Sequence, residues 1–463
     1  SWVGTEIDSA GRTDTGRLFF APVETITGRG LRLSPFELHE RSAGLDMPLT
    51  GECLTCHTLD RPAGARTRFP AHLHGADAFD TLRPLGCSAC HGEVARHAQV
   101  MSGRSGSKPR GLAVTRLWRL SAGAQRDICA RCHLQGDARI DLVNGTVDRT
   151  RPIAGQIPVL VPSRTIVDFR FVGQIERLAL STCFKSSPAM TCTTCHDPHT
   201  GVRAQGVQSF DRACVACHEK LGAHTSVSVA QVTGEPARSA RGCVDCHVRR
   251  SQPFDLPHVR TADHFIRRRI ERPQHDIPHR QFAVREAELT IFDDGRLRPT
   301  LESAAGRRWA SGVMAMGLLT MGRFAEAARH FEAFPPPGSA AARVASAPPG
   351  LTPLETSAAF HTVRGLVLLG TGKIAEATRA LSDAITIDPG AGDARMARAR
   401  LSLDAGDLAG AGLDTEAVIR MYLQTEQPWD LRIEIARRTG RVDLALSHQA
   451  STGLSRRRIR MGG

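Results

Sequence analysis

Twelve of the thirteen cysteines fall into six copies of one pattern, C-x-x-C-H. The copies are Cys53, Cys56 and His57; Cys87, Cys90 and His91; Cys129, Cys132 and His133; Cys192, Cys195 and His196; Cys214, Cys217 and His218; and Cys243, Cys246 and His247. In such a motif the two thiols can form thioethers with the vinyl groups of a haem, and the adjacent imidazole becomes the proximal ligand of the iron. A lone C-x-x-C could be a redox dithiol or half a zinc site, and a disulfide framework could use twelve cysteines. Neither chemistry requires histidine at the next position six times. Six covalent haem c groups are therefore expected. Such attachment takes place in exported compartments, so the motifs predict a periplasmic or extracellular, cell-surface protein. The start at Ser1, without methionine or an apolar leader, is read as a mature product whose export signal has been removed.

All six motifs lie between residues 53 and 247, in a region that reads as loops with short helical pieces such as Ser121 to Cys132. With one tyrosine in 463 residues and 5% aromatics, much of the apolar payload of that region would come from the macrocycles. Arginine carries nearly all of the +13 net charge, since only Lys108, Lys185, Lys220 and Lys373 are lysines. Six ferric or ferrous haems with ionised propionates would lower it to roughly +7 or +1. The basic balance then compensates the cofactors, and nucleic acid is not the expected partner. No apolar run approaches eighteen residues, so no transmembrane segment is expected.

From about residue 308 the sequence becomes alanine-rich and repeats. Gly372, Gly406 and Gly440 are each 34 residues apart, followed two residues later by Ile374, Leu408 and Val442 and five residues later by Ala377, Ala411 and Ala445. Gly322, Phe324 and Ala327 repeat the pattern, offset by the stretch Pro335 to Pro353; Gly365, Ala384 and Pro389 complete one copy. This is the tetratricopeptide signature. The expected organisation is an N-terminal arm (1–52), a loop-rich hexahaem cytochrome c domain with short helices (53–270), a linker (271–307) and an all-α tetratricopeptide-like array (308–463).

The chain resembles bacterial multihaem c-type cytochromes with a tetratricopeptide tail, and is distantly similar to the hydroxylamine-pathway tetrahaem cytochromes. The likeness is carried by Gly86-Cys87-Ser88-Ala89-Cys90-His91-Gly92 followed by His97, by Cys183-Phe184 leading into Met190-Thr191-Cys192-Thr193-Thr194-Cys195-His196-Asp197-Pro198-His199, and by His258 and Asp263-His264-Phe265-Ile266-Arg267-Arg268. It implies exported electron transfer with bis-histidine haems. Where the family has Gly-Pro-Gly after the second motif, this chain has Gly92-Glu93-Val94.

Ten further histidines precede residue 280, more than the six distal ligands required. His97 and His199 follow their own motifs so closely that each is better placed to reach a neighbouring haem. His258 and His264 carry the tail motif of the resemblance, and His39 and His224 are chosen by position. His72 and His74 are alternatives to these, while His275 and His279 flank prolines in the linker and read as surface residues. His330, His361 and His448 lie in the repeats and read as structural. No ligation is expected from Met47, Met101 or Met190. Cys183 is the unpaired cysteine, read as a buried thiol near the fourth haem, with an intermolecular bridge or a redox thiol as alternatives.

An electron carrier or conduit, rather than an enzyme, is the expected function. A lysine-ligated haem would need C-x-x-C-K, which is absent, and the sole tyrosine, Tyr422, lies in the repeats. The alternatives are an oxidoreductase with one open haem, or a monomeric shuttle recruited by its repeats. Expected partners are redox proteins. The array or the N-terminal arm could also pack on a second copy, as a filament where the contact is open or a small oligomer where it closes.

Overall fold

The computed structural model describes residues 3–4, 19–20, 23–26, 30–33, 86–92, 94–102, 114–143, 147–163, 169–218, 242–253, 260–268, 287–331, 334, 347–421 and 426–441. Contacts divide the chain into two units, one of residues 87–139 and 148–302, the other of residues 1–86, 140–147 and 303–463. Near the amino terminus β1 (Val3–Gly4) pairs antiparallel with β2 (Phe19–Phe20), and β3 (Val23–Ile26) with β4 (Gly30–Leu33).

The first unit is built from short pieces. In order they are α1 (Ser88–His91), α2 (Ala95–Met101), α3 (Ala122–His133), β5 (Ala138–Arg139), β6 (Val159–Pro162), α4 (Gln174–Leu178), α5 (Thr182–Ser186), α6 (Val202–Gln205), α7 (Val207–Val215), α8 (Cys243–His247), β7 (Arg250–Ser251), β8 (Thr261–Ala262), β9 (Leu289–Ile291) and α9 (Arg298–Leu301). The helix expected over Ser121 to Cys132 is α3. Ser121 caps it by accepting from the Ala124 amide at 3.2 Å, and Arg139 closes its far end on the carbonyls of Arg131 and Leu134.

Strands β5, β6 and β9 form an antiparallel sheet in that order. Val159 and Leu160 on β6 are fully buried, and Leu134, Ile153, Ile157, Phe169 and Phe292 are buried as well. Gly136 enters this sheet with φ of +56°, where a Cβ would collide with Val159 and the Leu160 carbonyl. Strand β9 lies within the expected linker 271–307. Its part 287–302 belongs to the first unit, because β9 supplies the third strand of the sheet. The rest of that linker up to residue 286 lies outside the described residues, and Ser303 already caps the first long helix of the second unit.

That second unit carries α10 (Ala304–Thr320), α11 (Phe324–Phe331), α12 (Ala358–Gly370), α13 (Ile374–Ile387), α14 (Gly392–Asp404), α15 (Leu408–Met421) and α16 (Glu426–Arg438). Helices pair α10 with α11, α12 with α13 and α14 with α15. The repeat glycines end α10, α12, α14 and α16 at positive φ, from 73° to 82°. At each end the same two hydrogen bonds recur. The amides of Gly322, Gly372, Gly406 and Gly440 donate to Leu319, Leu369, Leu403 and Arg437, and the next amides donate to Leu318, Leu368, Ser402 and Ala436. This is a Schellman closure in four copies, and it explains why glycine recurs.

Ala327, Ala377 and Ala411 are fully buried where paired helices meet, and a Cβ on Gly365 would stand 2.6 Å from Leu381. Leu381, Leu403 and Leu431 close the core, each worth roughly 1.5–3 kcal/mol of apolar burial. Phe331, Phe334 and Phe360 add a three-ring cluster with centroids 5.3 to 5.4 Å apart. Of the apolar residues two places after the glycines, Phe324 and Ile374 are exposed, whereas Leu408 packs against the core. Among the described residues, no helix is long and apolar enough to cross a membrane.

Candidate haem centres

In an α-helical turn, residues i, i+3 and i+4 share one face. The C-x-x-C-H spacing uses that geometry in every described copy. The amides of His91, His196 and His218 each donate to the carbonyl of the first cysteine of their motif, at 2.8, 2.9 and 3.0 Å. The third and sixth motifs lie on α3 and α8. Both cysteines and the histidine are thereby presented together.

The imidazoles are prepared in one common way. Nδ1 of His91 donates to the Thr115 carbonyl at 2.9 Å, that of His133 to Gln174 Oε1 at 3.0 Å, that of His247 to the Arg267 carbonyl at 2.6 Å, and that of His264 to the Ala262 carbonyl at 3.1 Å. A carbonyl oxygen only accepts, so Nδ1 carries a proton in each, and in the neutral ring Nε2 is the atom left to ligate. That is the tautomer and second-sphere support of a metal-ligating histidine. Burial holds the pKa of His196 and of His264 below the ordinary imidazole value, with His133 adding to it at His196, which keeps both rings neutral and able to ligate.

Two pairs of rings face one another across a gap of one size. His91 and His199 have centroids 6.1 Å apart and planes 6° apart; His196 and His264 have centroids 6.1 Å apart and planes 25° apart. Half of 6.1 Å is close to the sum of a metal–nitrogen bond of about 2 Å and roughly 1.1 Å from nitrogen to ring centre. The donor sets come as pairs. Among the described residues, no group of three or more His, Cys, Asp or Glu side chains converges as a metal ion's ligand cage.

The walls fit a large apolar group. No residue of α1, α5, α7 or α8 is buried, although α7 carries Val207, Phe210 and Val215. An open groove of about 490 Å³ lies against α7, lined by Gln208, Asp211, Arg212, Val215 and Ala216. Nδ1 of His97 is buried without a hydrogen-bond partner. The donor set, the tautomers and the uncovered apolar faces all match haem.

Successive motifs are stitched together by side chains that sequence reasoning did not single out. Arg149 donates to the carbonyls of Cys90, Ala89 and Ser88 at the end of α1. Arg126 on α3 reaches the carbonyls of Pro188 and Met190, just before Cys192, and pairs with Asp294 at 2.9 Å; Arg296 joins Asp294 to Asp127. Gln205 donates to the Cys195 carbonyl at 2.6 Å, and Asp211 on α7 accepts from the Cys243 amide at 2.8 Å. Arg177 grips Asp263 through two bonds of 2.8 Å, and Ser181 holds the backbone on either side of Phe265, so His264 is fixed from two directions. Asp263 and Arg267 stood in the quoted tail motif, and their role was visible only once Arg177 was opposite them.

The thiols also meet in order. The pKa of Cys129 is raised by neighbouring Cys192 and by burial, and that of Cys192 is lowered by Cys129. Burial pushes Cys214 up to about 11, with Cys243, Cys195, Asp211 and Cys183 adding to it. Cys195 is raised by burial and by Cys183 and Cys217. Cys183 is half-buried beside Cys195 and Cys214 rather than fully enclosed.

Among the expected ligands, His218 is exposed and His133 and His247 have the partners given above. Cys53, Cys56 and His57, and His39, His72, His74, His224, His258, His275, His279 and His448, lie outside the described residues. His330 and His361 engage Ser311 and the Glu355 carbonyl within the helical unit. No family model matches the chain, and neither the curated proteins nor the solved structures contain a match to it.

Proposed function

We propose that this protein is an exported electron-transfer protein holding six haem c groups with bis-histidine irons. The observation that carries this reading is the pair of facing imidazole couples, His91 with His199 and His196 with His264, at one common spacing. The supporting Nδ1 bonds at four rings point the same way. When bound, haem supplies one-electron chemistry at iron. The chain's own residues hold the rings neutral, orient them through backbone carbonyls, and place cysteines beside their neighbours. Two nitrogen ligands on each iron leave no position for a substrate, which favours a carrier over an enzyme.

The intact mass of the mature chain tests this directly. Six covalent haems are expected, low-spin in both redox states, and carbon monoxide binds less than stoichiometrically to the reduced protein. An apo mass, or zinc in place of haem, overturns it. In the same proposal the helical repeats recruit a redox partner or a second copy of the chain. Removing residues 303–463 is expected to leave the haem spectrum intact and abolish assembly in light scattering.

A further inference from the structure

The stretch from Cys192 to His199 takes part in more than one centre. His196 faces His264, while His199, three residues on, faces His91 of the second motif. Asp197 fixes the intervening turn: it accepts from the His199 amide at 2.9 Å and from Thr200 Oγ1 at 2.7 Å, and its own amide donates to Gln205. At the other end of the stretch Arg126, three residues before Cys129 of the third motif, donates to the carbonyls of Pro188 and Met190 at 3.1 and 2.9 Å, just ahead of Cys192. On the side of the fifth motif, Phe210, on the helix that carries Cys214, packs edge-on against His196 with centroids 5.2 Å apart.

We infer, resting on the haem reading above, that the fourth motif is the junction of the conduit: His91 and His199 ligate the second haem, His196 and His264 ligate the fourth, and the fourth adjoins the second, third and fifth. The hydrogen-bonded turn Asp197–Thr200 would couple the two irons through one short piece of backbone. The bonds of Arg126 to the backbone leading into Cys192 set the third motif beside the fourth. Electrons passing between the second or third haem and the fifth, in either direction, would then cross the fourth.

Non-additive loss of low-spin iron tests the assignment. His199→Ala in the full chain is expected to give one high-spin haem among six. In a chain that lacks the second haem through Cys87→Ala and Cys90→Ala, His199→Ala is expected to add none, because its iron is already gone. His264→Ala in that same background is expected to add one, but none in a chain lacking the fourth haem through Cys192→Ala and Cys195→Ala. One extra high-spin haem from His199→Ala in the chain without the second haem, or from His264→Ala in the chain without the fourth, overturns the pairing.

Haem counting by mass separates the two levels. Six low-spin haems in the unaltered chain with additive losses sink the assignment alone, whereas fewer haems or no low-spin iron sink the reading beneath it. Should the haem-deleted chains fail to accumulate, the unaltered protein still decides. Imidazole planes only 6° and 25° apart call for two rhombic low-spin signals in electron paramagnetic resonance. A spectrum made solely of the highly anisotropic signals of crossed imidazoles overturns the pairing.

Discussion

The two units close their interiors by different means. In the helical unit, α10, α12 and α13 each bury several side chains of their own, Trp309, Val313, Met316, Phe360, Val363, Leu381 and Ile385 among them. In the motif-bearing unit, α1, α5, α7 and α8 bury none. The first kind of helix is finished by its neighbours, in the way an amphipathic helix normally is. The second kind is only partly covered by protein, and many of the bonds that hold it are polar: arginines on backbone carbonyls, carboxylates on amides. The side-chain core of this unit lies around β6, and helices α1, α5, α7 and α8 stand outside that core, which the proposed haems would complete.

The largest effect that could break this contrast comes from withholding the proposed haem. A chain produced without haem is expected to lose amide protection across residues 87–133 and 169–268 while α10 to α16 stay protected in hydrogen exchange. Equal protection in both units would show that the motif-bearing unit has a sufficient core of its own. Next comes the polar stitching. Asp294→Asn leaves Arg126 and Arg296 without their shared carboxylate, and both partners of the Arg126 pair are about nine-tenths buried. Removing one member of such a pair costs about 3–5 kcal/mol, read as a lower midpoint in thermal unfolding of the haem-loaded chain. Arg126→Met, which removes the charge but keeps an apolar stem against Phe184, is expected to lose less than Arg126→Ala.

In the helical unit the corresponding weakness is overpacking rather than charge. Gly365→Leu drives a side chain into Leu381, from which even a Cβ is only 2.6 Å away, and about 1–3 kcal/mol of destabilisation is expected by chemical denaturation. Acid distinguishes the units further. Burial pushes the Asp294 carboxyl up, but the guanidinium groups of Arg296 and Arg126 outweigh it and hold the pKa below the ordinary aspartate value. The stabilisation is therefore complete above the unfolded value of about 3.9 and is lost as pH falls through the lower folded one. Asp294→Asn is expected to flatten this acid limb of the pH–stability curve, and an unchanged limb would assign it to other carboxylates. The smallest effect belongs to Phe324→Ser, at an exposed repeat position, where a change within about 0.5 kcal/mol is expected.

Local chemistry was legible in the order of residues. Helical turns at C-x-x-C-H follow from a spacing of three and four, the cap at Ser121 from its side chain preceding a helical run, and the four Schellman ends from glycines at a fixed period, because each depends on atoms only a few bonds apart along the chain. His199 and His264 could be picked out as candidate ligands from motif position and from a quoted resemblance. Which ring faces which could not, since His91 and His199 are separated by more than a hundred residues and the choice depends on where β6, α4 and the Asp263 loop come to rest. The same distance hid Thr115, Gln174, Arg126, Arg177 and Asp294, which carry no local signal and act only through partners far along the chain. It also hid β9, a three-residue strand in what reads as a linker, whose pairing energy exists only once β6 is there to receive it. Sequence by itself determined the donor atoms and the turns that present them; tertiary structure decided their pairing, because pairing is set by long-range contacts whose partners no local pattern announces.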